Sequence, residues 1–326
     1  MIKTRKYFFA PVNTGFTSGG LPDDRFLKFY AERSGNGLYC TIVGNVVLPS
    51  GYGTNDKTPA ISDSPEWASV VKAVRTAGAI PGIQLATTWP DYIGNRKFVG
   101  LDDESQALLY RSICESYSST KLSELALDLF EGSKLAINAG FQHIQLHAAH
   151  GYLFSLLIDQ QFNVRSDEVL KMLGNWLAFL RHNNVESSIR LSMRTGIEHC
   201  DYTNLRNQTI GNVVNLVPDF VDLSSGFYNI DKKLIYPSID SIIDQRFEQS
   251  IEIAASYPKA NFIVSGGLGK MEVSHLPTNV HIGLCRDLIA NPEFLQTQQN
   301  GCENMMKCHY YSRGESHLTC GQWDQP

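Results

Sequence analysis

The sequence predicts a single α/β domain folded as a closed (β/α)8 barrel, followed by a short tail. Short apolar segments typical of strands alternate with longer amphipathic segments typical of helices, and this alternation indicates parallel βαβ units. Eight strand-like segments occur between residues 6 and 286, which favours a closed (TIM) barrel over an open doubly wound sheet. Because no linker or low-complexity tract interrupts the chain, we expect a barrel over residues 1–300 and a tail over 301–326.

The predicted strands are apolar runs of six to ten residues. They comprise residues 6–13, 38–47, 80–87, 141–148, 188–194, 220–226, 262–267 and 280–286. Three of the intervening segments, 65–77, 122–137 and 246–256, have helical periodicity. Gly140 is a suitable stop for the second of them.

Composition limits the class of protein. The net charge of −5 and the pI near 6.0 argue against a non-specific nucleic-acid binder or a binder of acidic membranes. The apolar run at the N-terminus stops at Pro11 and is too short for a secretory signal, and no later stretch is long enough to span a bilayer. Seven dispersed cysteines are typical of reduced thiols. We therefore expect a cytoplasmic enzyme with a small-molecule substrate; a homo-oligomer is compatible with these features.

In such a barrel the chemistry belongs at the carboxyl ends of the strands. Polar residues and glycines do occur at these positions in the predicted strands. They are Asn13, Gly44, Asn45, Gln84, His147, His150, Tyr152, Arg190, Ser224, Ser225, Gly266, Gly267 and Arg286.

The fourth predicted strand contains the strongest candidate site. Strand alternation places His143, Gln145 and His147 on one face, and His150 and Tyr152 follow in the next loop. One interpretation is a pair of loop histidines bonded to backbone carbonyls. A second interpretation is a zinc site with His147 and His150 as ligands, but no suitable third ligand is evident nearby. In the third interpretation two imidazoles bind one substrate oxygen and the Tyr152 phenol donates a proton.

The segment AGFQHIQLHAAHGYLF at 139–154 resembles the fourth-strand signature of the Old Yellow Enzyme family, the FMN-dependent ene-reductases and their relatives. The family's downstream N-x-R-x-D is present as Asn163, Arg165 and Asp167. The resemblance implies FMN as cofactor and NADH or NADPH as reductant. It also implies that His147 and His150 bind the electron-withdrawing group of the substrate and that Tyr152 is the proton donor.

The resemblance extends over nearly the whole chain and implies a set of FMN contacts. Arg190 matches an arginine near flavin N1 and O2, Gln84 a residue that reads the pyrimidine edge, and Arg286 the partner of the phosphate. The full set is Pro11, Val12, Asn13, Gly44, Gln84, His147, Arg190, Gly266, Gly267, Cys285 and Arg286. Taken singly, Arg190 is also compatible with a structural ion pair, Gln84 with a polar residue at the barrel end, and Gly266–Gly267 with a turn.

The chain departs from the family pattern around the cofactor. Asn13 replaces the usual Thr or Cys, Thr87 replaces a His, and Cys285 replaces a Gly, while the Y-G-G-S after the N-x-R-x-D motif is missing. The cysteines of the tail lack the spacing of an iron–sulfur site, so we expect no bound metal. A metal site at Cys308, His309, His317 and Cys320 is the alternative to a loosely ordered tail. The segment YYSRGES also offers Tyr310 or Arg313 as a residue that closes over an active site, of this chain or of a neighbour.

These features lead to one expected function and two alternatives. The expectation is an FMN-dependent NAD(P)H oxidoreductase that reduces an activated alkene, such as an α,β-unsaturated carbonyl. The first alternative is an FMN-dependent desaturase or oxidase in a tailoring pathway. The second is a flavin-binding partner protein without turnover.

Overall fold

A computed structural model describes residues 5–94, 100–270, 273–305 and 308–323. Within these residues eight parallel strands form a closed barrel. In chain order they are β1 Tyr7–Phe9, β2 Cys40–Val47, β3 Ile80–Ala86, β4 His143–Ala148, β5 Glu186–Ser192, β6 Phe220–Ser224, β7 Phe262–Ser265 and β8 Val280–Leu284. The prediction of a (β/α)8 barrel is thus confirmed.

Each strand pairs in parallel with the next along the chain, and β1 closes the barrel by pairing with both β2 and β8. Phe8 lies opposite Cys40 on one side and Gly283 on the other. The first strand is shorter than predicted, because the chain leaves the barrel after Phe9 and Val12 instead forms an antiparallel bridge with Gly44 of β2. This bridge brings the segment after β1 over the end of β2.

Twelve helices occur in the described residues. They are α1 Asp24–Arg33, α2 Pro65–Ala77, α3 Asp103–Glu115, α4 Ser119–Ala139, α5 Leu153–Leu157, α6 Ser166–His182, α7 Glu198–Asp201, α8 Asn204–Asn215, α9 Lys232–Ile235, α10 Asp240–Ser256, α11 Arg286–Ala290 and α12 Phe294–Thr297. The predicted helix over 65–77 coincides with α2, and the other two lie within α4 and α10. None of the helices in the described residues is long and apolar enough to cross a membrane.

The barrel interior changes character along its axis. An apolar layer at the base contains Phe8, Cys40, Ile42, Phe220 and Ile263. A layer of buried polar side chains follows, formed by Gln84, Gln145, Ser188 and Asp222. Helices and the outer strand faces form the main hydrophobic core, and the polar layer lies between the apolar base and the carboxyl end of the barrel. That end is the mouth at which the candidate site lies.

Candidate active site

His147, His150 and Tyr152 form one cluster at the end of β4. The ring centroids of His147 and Tyr152 are 4.6 Å apart, and those of His147 and His150 are 5.0 Å apart. His150 has a φ of 63°, a left-handed conformation that folds the loop back over the strand end. The structure therefore brings together the three residues that the sequence analysis selected.

His147 is a neutral imidazole. Burial and the Arg190 guanidinium lower the pKa of His147 to about 3. Its Nδ1 accepts the backbone N–H of Ala149 at 3.3 Å, so the single ring proton lies on Nε2. His147 Nε2 is therefore a hydrogen-bond donor available to a ligand.

His150 is held by β6. Its Nε2 lies 2.7 Å from Ser224 Oγ, and that oxygen also accepts from Arg190 and Arg246 at 3.3 Å each. Because the oxygen already accepts two N–H groups, the Ser224 hydroxyl donates to His150 Nε2. Burial lowers the pKa of His150, and the neutral ring then carries its proton on Nδ1. His150 thus differs from His147 in the nitrogen that can donate to a ligand.

Tyr152 is buried and packs edge-on against Tyr92, with centroids 5.6 Å apart at 86°. The ring of Tyr228, from the loop after β6, lies on another side of Tyr152, with the two ring centroids 6.4 Å apart. Burial raises the pKa of Tyr152, so the phenol keeps its proton at neutral pH. A protonated phenol beside two imidazole donors is suited to general-acid chemistry.

Arg190 lies at the end of β5 and pairs with a buried carboxylate. Its Nη1 donates to Asp222 Oδ2 at 2.8 Å. Arg246 of α10 is buried beside it, and burial and Arg190 lower the pKa of Arg246 to about 9. Arg286 adds a third guanidinium nearby. Since Asp222 neutralises one charge, this side of the mouth has an excess of positive charge.

Gly266 follows β7 and accommodates Arg246. A Cβ at position 266 would lie 2.8 Å from Arg246 Nε, and the residue has a φ of 120°.

Cys285, after β8, is partly buried, and burial raises its pKa to about 12, so it is a neutral thiol. Arg286 follows it and donates to the Pro237 carbonyl and to Asn304 Oδ1. Gly267, Cys285 and Arg286 therefore lie on the same side of the mouth as Arg246.

The ends of β1, β2 and β3 form the opposite side. Gly44 lies against Gln84, since a Cβ there would come within 3.0 Å of the Gln84 Cβ. Val12 is bridged to Gly44, which also places Pro11 next to this contact. Gln84 is buried and donates to Gln145 Oε1 at 2.6 Å.

Two of the departures from the family pattern have structural roles. The Asn13 amide nitrogen donates to Thr58 Oγ1 at 3.0 Å, and its oxygen accepts the Gly15 N–H at 3.2 Å. The Thr87 hydroxyl accepts the Tyr52 N–H at 3.0 Å and donates to the Thr88 carbonyl. Both side chains therefore hold loops in place around the mouth.

The tail lies over the mouth of the barrel of its own chain. Tyr310 is 2% exposed and donates to Asn13 Oδ1 at 3.1 Å. His309 hydrogen bonds to the hydroxyl of Tyr228, so the tail links the loops after β1 and β6. The other candidate for closure, Arg313, bonds to Thr319 within the tail. Among the residues that the structure describes, no group of three His, Cys, Asp or Glu side chains is arranged to bind a metal ion.

Sequence reasoning missed Arg246, Asp222 and Tyr228. Arg246 opens the helical segment 246–256, but periodicity does not identify which helix residue reaches a strand end. Asp222 was detectable in principle, because a carboxylate within an apolar strand needs a buried partner. The N-x-R-x-D segment, Asn163–Asp167, lies at the start of α6, where Asn163 donates to the Leu157 carbonyl at 2.7 Å.

The arrangement at the mouth fits FMN. In the described part of the chain, the Nε atoms of Arg190 and Arg246 are buried without a hydrogen-bond partner. Their positive charge suits the phosphate and the electron-rich edge of a flavin. Gln84 and Arg190 lie on opposite sides of the buried Gln145–Asp222 contact, so both can meet one planar ligand.

Comparisons with known proteins identify similar oxidoreductases. The chain is 26% identical over 195 residues to 12-oxophytodienoate reductase 7 of Oryza sativa subsp. japonica, covering 52% of this chain and 48% of the relative. It is 28% identical over 228 residues to an NADPH dehydrogenase of Clostridium acetobutylicum, covering 63% and 64%. The chain spans about half the length of the plant reductases that it matches.

Solved structures share the fold. An Old Yellow Enzyme from a Pichia species superposes with a TM-score of 0.69 at 16% identity, covering 98% of this chain and 90% of that one. A 6-hydroxypseudooxynicotine amine oxidase from Pseudomonas geniculata gives 0.71 at 16% identity, covering 98% and 52%. The family model described as NADH:flavin oxidoreductase / NADH oxidase matches residues 9–304. The chain therefore belongs to this family of enzymes, which carry FMN and take electrons from NADH or NADPH.

Proposed function

We propose that this chain uses FMN and NADH or NADPH to reduce an activated alkene, such as an α,β-unsaturated carbonyl, with Tyr152 as the proton donor. The observation that carries the proposal is the buried cluster of His147, His150 and Tyr152 beside Arg190. It combines neutral hydrogen-bond donors with a protonated phenol. In this proposal residues 1–300 form the flavin barrel and 301–326 the tail that covers it.

His147 and His150 bind the carbonyl oxygen of the acceptor. His147 offers Nε2–H and His150 offers Nδ1–H, as the hydrogen bonds to Ala149 and Ser224 require. Two neutral donors stabilise the negative charge that develops on the oxygen during reduction. Since both rings are neutral imidazoles and not imidazolium cations, neither is the source of the proton that the product gains.

Tyr152 supplies the proton to the α-carbon of the acceptor. Burial raises the pKa of Tyr152 and so keeps the phenol protonated at neutral pH, and its ring lies against His147, which in this proposal binds the same substrate. FMN, when bound, would supply the hydride chemistry, taking a hydride from the nicotinamide and donating a hydride to the β-carbon. Tyr152 is thus the residue on which the alkene reaction depends.

Arg190, Arg246 and Arg286 hold the cofactor in this proposal. Arg190 stabilises negative charge at the pyrimidine side of the reduced flavin, while Gln84 reads that edge. Arg246, Arg286 and the backbone at Gly266–Gly267 bind the phosphate. Pro11, Val12, Asn13, Gly44, His147 and Cys285 complete the contacts.

Anaerobic titration of the purified, FMN-loaded chain tests the proposal. We expect NADH or NADPH to bleach the visible flavin absorption and 2-cyclohexenone to restore it without oxygen. Bleaching that only oxygen reverses would indicate an oxidase. A bound flavin that neither nicotinamide bleaches would contradict enzymatic turnover.

A further inference from the structure

Gln145 lies inside the barrel, where its side chain contacts Gln84 on one side and Asp222 on the other. Its side chain is fully buried. We propose that Gln145 is a positioning residue that sets the orientation of Gln84 and of the Arg190–Asp222 pair toward FMN. The inference rests on the proposed function, since it assumes that these residues bind the flavin.

The orientation of the Gln145 amide follows from its partners. Its Nε2 donates to Asp222 Oδ2 and to Ser188 Oγ, at 3.1 Å each. An ionised carboxylate only accepts hydrogen bonds, so the NH₂ group of Gln145 must face Asp222. Its Oε1 then faces the opposite side of the barrel, toward β3.

The orientation of Gln84 follows in turn. Gln84 Nε2 lies 2.6 Å from Gln145 Oε1 and must donate to it. This leaves Gln84 Oε1 and one further N–H for a ligand. A flavin pyrimidine edge presents an N–H between two carbonyl oxygens, so a side chain with one acceptor and one donor is complementary to it. Gln145 therefore determines which groups Gln84 presents.

Arg190 is coupled to Gln145 through a single oxygen atom. Asp222 Oδ2 accepts from both Arg190 Nη1, at 2.8 Å, and Gln145 Nε2. Among the described residues, Asp222 Oδ1 and Arg190 Nε have no hydrogen-bond partner. Loss of the Gln145 N–H would leave the carboxylate to Arg190 alone and neutralise more of the charge offered to a ligand.

Gln145 is itself held from below by a polar chain that reaches the base of the barrel. Ser188 Oγ lies 2.8 Å from His143 Nε2, and His143 Nδ1 lies 2.7 Å from Glu186. Ser188 is fully buried, so this serine–histidine–glutamate series anchors the amide and has no access to a substrate. The anchoring explains why Gln145 can hold one orientation in the core.

The test compares Gln145→Met with Ser133→Ala in the full-length chain. Ser133 accepts a buried hydrogen bond from Trp176 Nε1 at 2.8 Å between α4 and α6, away from the mouth, so its loss also removes a buried polar contact. Unfolding in urea, the Kd for FMN by fluorescence titration of the apoprotein, and the midpoint potential of bound FMN are measured for each. We expect Gln145→Met to raise the Kd at least tenfold and to make the potential more negative. Ser133→Ala should lower stability and leave both unchanged.

Gln145→Leu provides a second variant if Gln145→Met does not fold. It also removes both the acceptor for Gln84 and the donor to Asp222, so the potential should again become more negative. A wild-type Kd and potential in the folded variants would overturn the inference while leaving the proposed function intact. Failure of the wild-type chain to bind FMN would overturn both.

Discussion

The hydroxyl of Tyr310 donates a hydrogen bond to Asn13 Oδ1 at 3.1 Å, and it lies 3.3 Å from Asn55 Oδ1. A residue close to the C-terminus thereby contacts the loops after β1 and β2. Asn13 replaces the residue that in the Old Yellow Enzyme pattern is Thr or Cys. An amide oxygen at this position gives the tail an acceptor, which connects the substitution at residue 13 with the closure of the mouth.

Tyr310→Phe should therefore loosen the tail. The loss of one buried hydrogen bond is expected to lower the free energy of unfolding by about 1 kcal/mol. The Leu318 N–H, which donates to the Thr14 carbonyl at 2.7 Å, should exchange faster with solvent. Hydrogen-exchange mass spectrometry measures this. Tyr311→Phe is the control, because Tyr311 is 38% exposed; equal exchange in the two variants would contradict the anchoring role.

Tyr152→Phe should separate the two halves of the reaction. We expect reduction of the acceptor to slow about 100-fold or more, since a general acid is lost, while flavin reduction by NAD(P)H changes little. Stopped-flow absorbance measures each half separately. Tyr110→Phe is a control for the loss of a buried tyrosine hydroxyl outside the site. An equal loss in both half-reactions would remove Tyr152 from the role of proton donor.

His147 should make the fold sensitive to acid. The pKa of His147 is about 3 in the folded chain, against 6.5 for a histidine that is not buried. Between these pH values only the unfolded chain binds the proton. The free energy of unfolding should therefore fall by about 1.4 kcal/mol per pH unit as the pH decreases below 6.5, from this group alone. In His147→Asn the pH dependence should be shallower by that amount. Urea unfolding at pH 7, 6 and 5 tests this; parallel curves for the two proteins would show that the fold does not lower the pKa of His147.

Gly266→Ala should be more costly than an alanine at another glycine with positive φ. The new Cβ would meet Arg246 and would also be strained at a φ of 120°. We expect a loss of about 3 kcal/mol, against about 1 kcal/mol for Gly314→Ala, which has a φ of 75° and no atom within 4 Å of the added Cβ. Chemical unfolding of both variants measures the difference. Similar losses would mean that Arg246 moves aside freely.

Much of the barrel was predictable from local pattern. Strands with apolar runs and helices with a 3.6-residue period leave a signal in a single sequence, and all eight strands were located from it. The predicted end of β1 was wrong because Val12 leaves the barrel ladder and forms an antiparallel bridge with Gly44 of the neighbouring β2. Such a bridge leaves no periodic pattern in the sequence from which it could be predicted.

The candidate site was predictable where it lies on one strand end. His147, His150 and Tyr152 are close in sequence and close in space. Arg246 and His309 reach the mouth from a helix and from the tail, and their positions depend on packing between distant segments. The hydrogen-bond roles of Asn13 and Thr87 are likewise set by loops, whose conformations the sequence pattern does not specify.

The polar layer inside the barrel has a consequence for how the chain can fold. Gln145 belongs to the first four strands, whereas Ser188 and Asp222, its two acceptors, belong to the last four. A fragment ending after β4 would separate this amide from both acceptors, and a fragment starting at β5 would leave the Asp222 carboxylate without its amide donor. The hydrogen bonds of the polar layer therefore stabilise the chain only when the two halves of the barrel are assembled.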